Sequence, residues 1–297
     1  MPTRNVPVLI GAAEMADIDQ AAQRLGLTED ALMESAGAAV TEVALNELTR
    51  LAEPVRGPAG PLAQPPLVAV LCGTGNNGAD GFVVSRRLAA AGRRVLCVLV
   101  GDASKLEGHA QVHNWNVLQA MASAGSLELF VAPTPQLLLQ LREKLSAATL
   151  VIDALLGSGG SGPLREPVST AVDVINALRT HAIAAARPFA VLAVDTPTRI
   201  ELTGGGQSDP VVTADATVTF HRAKAGFALD ATARRLAGRY YVAPIGIPLE
   251  AEDDIVPPDG EYPPARITQV NWQEPAEPDE PGPARPGEGI GAGPGIE

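Results

Sequence analysis

Three carboxylates carry most of the chemistry legible in this chain: two close apolar runs and one stands at the start of a helix. They are Asp80 in CGTGNNGADGF, Asp153 in VIDALLGSGGSGP and Asp195 in VLAVDTP. Acids fixed at the ends of buried strands can exchange protons with a ligand or hold a cation. Each also has a plainer use: Asp80 as a helix cap, Asp153 and Asp195 as acceptors for the N–H groups of their own turns.

Ahead of Asp80, the glycines Gly73, Gly75 and Gly78 fit the spacing G-x-G-x-x-G. That spacing lets a backbone turn tightly from strand to helix and present N–H groups to an anion. Asn76 and Asn77 fill the intervening positions with four amide hydrogen-bonding groups. Asp102 lies about where a ribose-binding acid is expected in a hydride-transfer fold, so an NAD-dependent oxidoreductase is one reading. Against it, Asp80 places an anion where a pyrophosphate would sit. Three clustered carboxylates would repel an anionic ligand unless a cation lies among them or one carboxyl is protonated. Asn77, Asp153 and Thr198 offer amide, carboxylate and hydroxyl oxygens with no supporting Cys or His set, a donor set that favours a hard cation. The second Gly-rich loop, formed by Gly157, Ser158, Gly159, Gly160, Ser161, Gly162 and Pro163, can cradle phosphates or serve as a plain connection.

These residues need a scaffold that gathers strand ends. Near-continuous apolar runs, LVAVLC, RVLCVLV, LELFVA, TLVIDAL, FAVLAVD and ATVTFH, alternate with helical patterns at residues 80–91, 109–124, 135–146 and 167–184. Strands of that composition are buried on both faces, so an α/β fold with a mainly parallel, helix-covered sheet is expected. Two helices, separated at GLTED, are expected before any strand, then a Pro/Gly loop over residues 51–66. GRYYVAPIGIP reads as a last, edge strand. Residues 1–249 form the expected domain, and residues 250–297, rich in Pro, Gly and acids, read as a disordered tail.

With 297 residues, 46% of them hydrophobic, the chain can bury one catalytic-sized core. A formal net charge of -12 without a basic run argues against a nucleic-acid partner. Cys72 and Cys97 sit in apolar runs as small buried hydrophobes, which suits a reducing compartment. The N-terminal residues lack the apolar core of a secretory signal and no segment reaches membrane-spanning length, so a cytoplasmic protein without a membrane partner is expected. His109 and His113, one helical turn apart, read as a metal pair or as an exposed polar face, and Trp115 as packing.

In order, AAEMADIDQAA, LMESAGAAV, GTGNNGADGFVVSRRLAAAG, VIDALLGSGGSGPLREPV, AVDTPT, ADATVTFHRAKAG and GRYYVAPIGIP resemble the YjeF N-terminal domain family, the NAD(P)H-hydrate epimerases. The resemblance implies a Rossmann-like three-layer α/β/α sandwich, usually dimeric. It implies interconversion of the R and S forms of hydrated NADH or NADPH, which are substrates rather than redox cofactors, with a separate dehydratase acting downstream. By position, Asn76, Asn77, Gly78, Ala79, Asp80, the loop from Gly157 to Pro163 and Asp195 look like substrate contacts. Asn77, Asp153 and Thr198 look like ligands of a potassium ion. Asp195 is the first candidate for the catalytic acid/base. Lys224 falls on the family's Lys-x-Gly position, where it can meet phosphate or substrate or be a solvated lysine at a strand end.

The chain departs from the family's pattern mildly at Thr198, which keeps the hydroxyl oxygen of a serine, and more consequentially at two positions. Ala79 replaces a glycine, harmless in a helix and costly at positive φ. Arg199 also replaces a glycine, adding a cation that could neutralise the acids in place of the ion. Such changes leave open a non-catalytic binding or scaffold module. A dehydrogenase would need a catalytic His or a Tyr–Lys pair that is not evident here.

Overall fold

The computed structural model describes residues 3–5, 9–52, 65–159, 163–202, 207, 210–253, 255–256 and 261–272. In chain order the strands are β1 (Thr3–Asn5), β2 (Leu9–Ile10), β3 (Leu67–Cys72), β4 (Arg94–Leu99), β5 (Glu128–Val131), β6 (Leu150–Ala154), β7 (Ala190–Val194), β8 (Ala216–Phe220), β9 (Ala223–Lys224), β10 (Arg239–Ala243) and β11 (Thr268–Asn271). The helices are α1 (Ala12–Arg24), α2 (Glu29–Ala52), α3 (Asn76–Ala90), α4 (His109–Ser123), α5 (Pro135–Gln140), α6 (Arg142–Ser146), α7 (Val168–Ala184), α8 (Ala225–Leu229) and α9 (Ala231–Ala237). The main sheet runs β1-β11-β10-β8-β7-β6-β3-β4-β5, and β2 pairs with β9 in a small second sheet. From β10 to β5 every neighbouring pair is parallel.

Successive residues of β3 point to opposite faces, and both faces are dry. Val68, Val70 and Cys72 join the core under α2, α3 and α4, while Leu67, Ala69 and Leu71 pack beneath α5, α6 and α7. This gives the three layers expected, since a strand buried on both faces needs a helix layer on each. Cys72 and Cys97 are buried and unpaired, their sulfurs 3.8 Å apart. Trp115 packs on Phe82, the ring centroids 5.3 Å apart.

Several expectations need correction. Two short strands, β1 and β2, precede the first helix; with three and two residues they are too short to show an alternating pattern. Helix α3 begins at Asn76, four residues before Asp80, so both asparagines, Gly78 and Ala79 form its first turn. The segment expected as one helix over 135–146 breaks at Leu141 into α5 and α6. Strand β10 is not an edge, because β11 adds antiparallel to it and β1 adds beyond β11.

The chain after Leu249 is therefore partly built into the fold. A buried charge cluster holds it there: Glu252 accepts from Arg222 and from His221, whose Nε2 lies 2.7 Å from Oε1, and Arg222 also donates to the Glu261 carbonyl at 2.9 Å. Composition alone reads those acids as solvating, since their partners lie 30 or more residues away. Residues 273–297 of the expected tail, and 53–64 of the expected Pro/Gly loop, lie outside the described residues.

At the β3–α3 turn, a Cβ on Gly78 would overlap the Gly73 carbonyl oxygen, a backbone atom that cannot swing aside. Gly78→Ala should therefore cost about 3 kcal/mol of stability in urea unfolding. Ala79 is helical and buried, so Ala79→Gly should cost only about 1 kcal/mol through helix propensity. Equal effects of the two substitutions would contradict this packing.

Candidate active site at the β3–β6 crevice

The chain leaves β3 toward β4 and β5, then returns to the other side of β3 to lay down β6, β7 and β8. Parallel sheets bind ligands where the strand order reverses in this way, beyond the carboxyl ends of the strands. Here the crevice opens between β3 and β6, closed at its base by the Gly73 N–H donating to the Ala154 carbonyl at 2.9 Å. It continues into a cavity of about 1100 Å³ walled by Thr74, Gly101, Gly157, Ser158, Arg199 and Lys224, among others.

Asp195 follows β7 directly and sits in the left-handed region at φ 61, a conformation that Asp tolerates better than most residues. Its Oδ2 accepts from the Ser158 N–H at 2.8 Å and its Oδ1 from the Thr219 hydroxyl at 2.9 Å. Lys224 Nζ lies 3.4 Å from Oδ1. Burial works to raise the Asp195 pKa, but Lys224 and these hydrogen bonds outweigh it and hold the carboxyl below its ordinary value. Lys224 is itself buried, so it is not a solvated strand-end lysine; it enters the site through β9, where Lys224 pairs in register with Ile10 of β2.

Asp153 occupies the second-last position of β6 and is fully buried. Thr198 donates to it twice, from its N–H to Oδ2 at 2.8 Å and from its hydroxyl to Oδ1 at 2.7 Å. The Leu155 N–H adds a bond at 3.2 Å. Burial pushes the Asp153 pKa up to about 6 against the opposing pull of these donors. The Asn77 side chain lies near Gly157: a Cβ placed on Gly157 would meet Asn77 Oδ1 at 3.2 Å and Asp195 Oδ2 at 2.9 Å. Asn77 Nδ2 is buried with no hydrogen-bond partner. Asp153, Thr198, Leu156, Gly157, Asn77 and Asp195 thus form one continuous chain of neighbours.

Asp80 lies in the second turn of α3. Burial first, then the charges of Asp195 and Asp19, raise its pKa well above the ordinary value. Asp19, on α1, is a fourth acid at this site that the sequence reading missed. The available signal was an acid set inside the apolar series Met15, Ile18, Ala22 that α1 buries.

Other expected site residues are placed differently. Asn76 is exposed, its Oδ1 accepting from Gln111 of α4 at 2.6 Å. Asp102 caps a short 3-10 turn by accepting from the Ser104 N–H at 2.9 Å. Ser158, Gly159 and Pro163 line the cavity, whereas Gly160, Ser161 and Gly162 lie outside the described residues. His109 stacks on His113 at the surface and faces Asp30 at 3.5 Å, and no cluster of three or more His, Cys, Asp or Glu side chains suited to a metal occurs among the described residues. Arg199 adopts φ 73 and its guanidinium lies 4.0 Å from Glu201. No helix among the described residues is long and apolar enough to cross a membrane.

A family model described as the YjeF-related protein N-terminus matches residues 29–226. A protein named bifunctional NAD(P)H-hydrate repair enzyme, from Pyrobaculum aerophilum, is 37% identical over 253 residues, 85% of this chain and 44% of that protein. The chain therefore spans less than half the length of that relative. A protein named NAD(P)H-hydrate epimerase, from Cenarchaeum symbiosum, is 31% identical over 252 residues, 83% of this chain and 99% of that one. The crystal structure of yeast YNL200c shares the fold with a TM-score of 0.65 at 21% identity, over 88% of this chain and 99% of that one.

Asp19 gives the site a measurable pH signature. Burial raises its pKa from 3.8 to about 6, Asp195 adding to the rise and Lys224 opposing it. The folded state thus prefers the protonated acid, and this contribution to stability is full below about pH 4 and lost as the pH rises through about 6. Asp19→Asn should match the parent near pH 4 and exceed it by about 1–2 kcal/mol at pH 8, allowing for partial solvent screening. Urea unfolding across that range checks it; parallel curves would contradict the assignment.

Proposed function

Because the chain belongs to the YjeF-related N-terminal family, we propose that it is an NAD(P)H-hydrate epimerase, interconverting the R and S forms of hydrated NADH and NADPH. One observation carries the reading beyond family membership. The crevice holds two carboxyls whose environments push them apart: Asp195, held below its ordinary value by Lys224, Ser158 and Thr219, and Asp80, raised well above it by burial and by the neighbouring acids. A pair split in this way can supply a base and an acid at one pH.

The reaction inverts a hydroxyl-bearing carbon beside a ring nitrogen. Asp195 takes the hydroxyl proton, the carbon–nitrogen bond breaks with its electron pair going to nitrogen, and Asp80 protonates that nitrogen. Rotation of the resulting carbonyl and reversal of both proton transfers closes the ring with the opposite configuration. The first turn of α3, with Asn77 and Gly78, and the loop residues Gly157 and Gly159 offer backbone N–H groups to the rest of the dinucleotide, while Ser158 and Pro163 line the cavity beside them.

A potassium ion fits the oxygen donors of Asn77, Asp153 and Thr198. The supporting observation is the Asn77 amide, buried with its nitrogen unpartnered; turning the amide over presents an oxygen to the same spot, where a cation would satisfy it. The ion would supply positive charge beside the buried acids. Arg199, whose guanidinium lies 4.0 Å from Glu201, is the competing cation in this reading. Potassium should raise the melting temperature above that in lithium at equal ionic strength, an effect lost in Asn77→Ala. A homodimeric state, a downstream stereospecific dehydratase and a cytoplasmic location belong to the same proposal, supported by the family resemblance.

The direct test follows conversion of R-NADPH hydrate to the S form by the purified protein. It should exceed the spontaneous rate, and Asp195→Asn should lower the rate at least ~100-fold while the variant stays folded. A rate equal to the spontaneous one, or full activity in Asp195→Asn, would contradict the proposal.

A further inference from the structure

The carboxylates Asp19, Asp80, Asp153 and Asp195 make the inner crevice hostile to phosphate, and the buried cation there, Lys224, is engaged by Asp195. A dinucleotide must therefore find cationic partners for its phosphates elsewhere in the cavity. Arg199 lines that cavity, with its side chain 19% exposed, and its ion pair with Glu201 is loose at 4.0 Å. It also adopts φ 73, a conformation that glycine takes freely and an arginine only at a cost. Local strain of this kind persists where the surrounding structure enforces it, and it collects at ligand sites. The guanidinium fork matches phosphate oxygens in pairs, which an ammonium cannot do. Lys105 and Arg165 also line this cavity, as do Glu166 and Glu201.

We propose that Arg199 is a phosphate-binding, specificity-determining residue of this chain, exchanging its loose contact with Glu201 for a phosphate group of the dinucleotide. The inference rests on the dinucleotide reading of the site. The phosphate is either the pyrophosphate or the 2′-phosphate that distinguishes NADPH from NADH, and the two sources separate by experiment.

The test is equilibrium titration of the full chain and its Arg199→Gly and Arg199→Lys variants with ADP-ribose and with 2′-phospho-ADP-ribose, beside thermal unfolding. Arg199→Gly should weaken binding about tenfold or more while raising the melting temperature, because glycine relieves the backbone; Arg199→Lys should recover part of the affinity. Weaker binding of both ligands assigns Arg199 to the pyrophosphate, and a loss confined to the second assigns it to the 2′-phosphate. Unchanged affinity in Arg199→Gly, or no binding of either ligand by the parent, overturns the inference. Because neither ligand turns over, epimerisation can fail while this result stands, and the converse, so the two readings fall separately.

Discussion

The contact on which this site depends is the one between Lys224 and Asp195, 3.4 Å apart in the interior. A carboxylate beside other buried acids is otherwise pushed toward its protonated form, as burial, Asp195 and Asp19 push Asp80. The lysine must therefore be held in place, and several otherwise odd features do so. The two-residue strand β9 pairs with β2, and the Lys224 N–H donates to the buried Tyr240 hydroxyl at 3.1 Å. Two residues upstream, Arg222 is locked to Glu252. The N-terminal segment and the chain after Leu249 thus both serve the position of one ammonium group.

The same contact explains how one crevice can offer both a base and an acid. Asp195 and Asp80 are chemically identical, and only their surroundings differ: three donors converge on the first, and like charges and burial act on the second. Asp153 is the intermediate case, bound by Thr198 yet fully buried. The parallel sheet contributes the placement. Adjacent strands β3, β6 and β7 end together, so residues more than 100 positions apart meet without any long-range element of their own.

Much of this was legible in the sequence, because strands buried on both faces give unbroken apolar runs, Asp153 and Asp195 stand directly at or after their ends, and Asp80 follows the Gly-rich turn. The three carboxylates, the Gly-rich turn and the layer architecture follow from that. What was not legible depends on distant partners. Strand β11 and the Glu252 cluster sit in a segment whose Pro and acid content reads as solvated, and Arg222, His221 and pairing with β10 turn it inward. Lys224 reads equally as a ligand contact or a solvated strand-end lysine, and the pairing of β9 with β2 and its burial decide between them. Asp19 was hidden because an acid beside an apolar helical stripe is usually a solvated flank. The pattern predicts α3 from Asp80 because Asn and Gly are weak helix formers, whereas the helix starts at Asn76, where Gly78 packs closely on the Gly73 carbonyl.

The most direct measurement is a structure of the chain with hydrated NADPH bound. The account predicts the hydroxyl-bearing ring carbon at the β3–β6 crevice, its hydroxyl within hydrogen-bond distance of the Asp195 carboxylate and Asp80 facing the ring nitrogen. A complex with the ring outside that crevice, or with Asp195 directed away from it, would contradict the account.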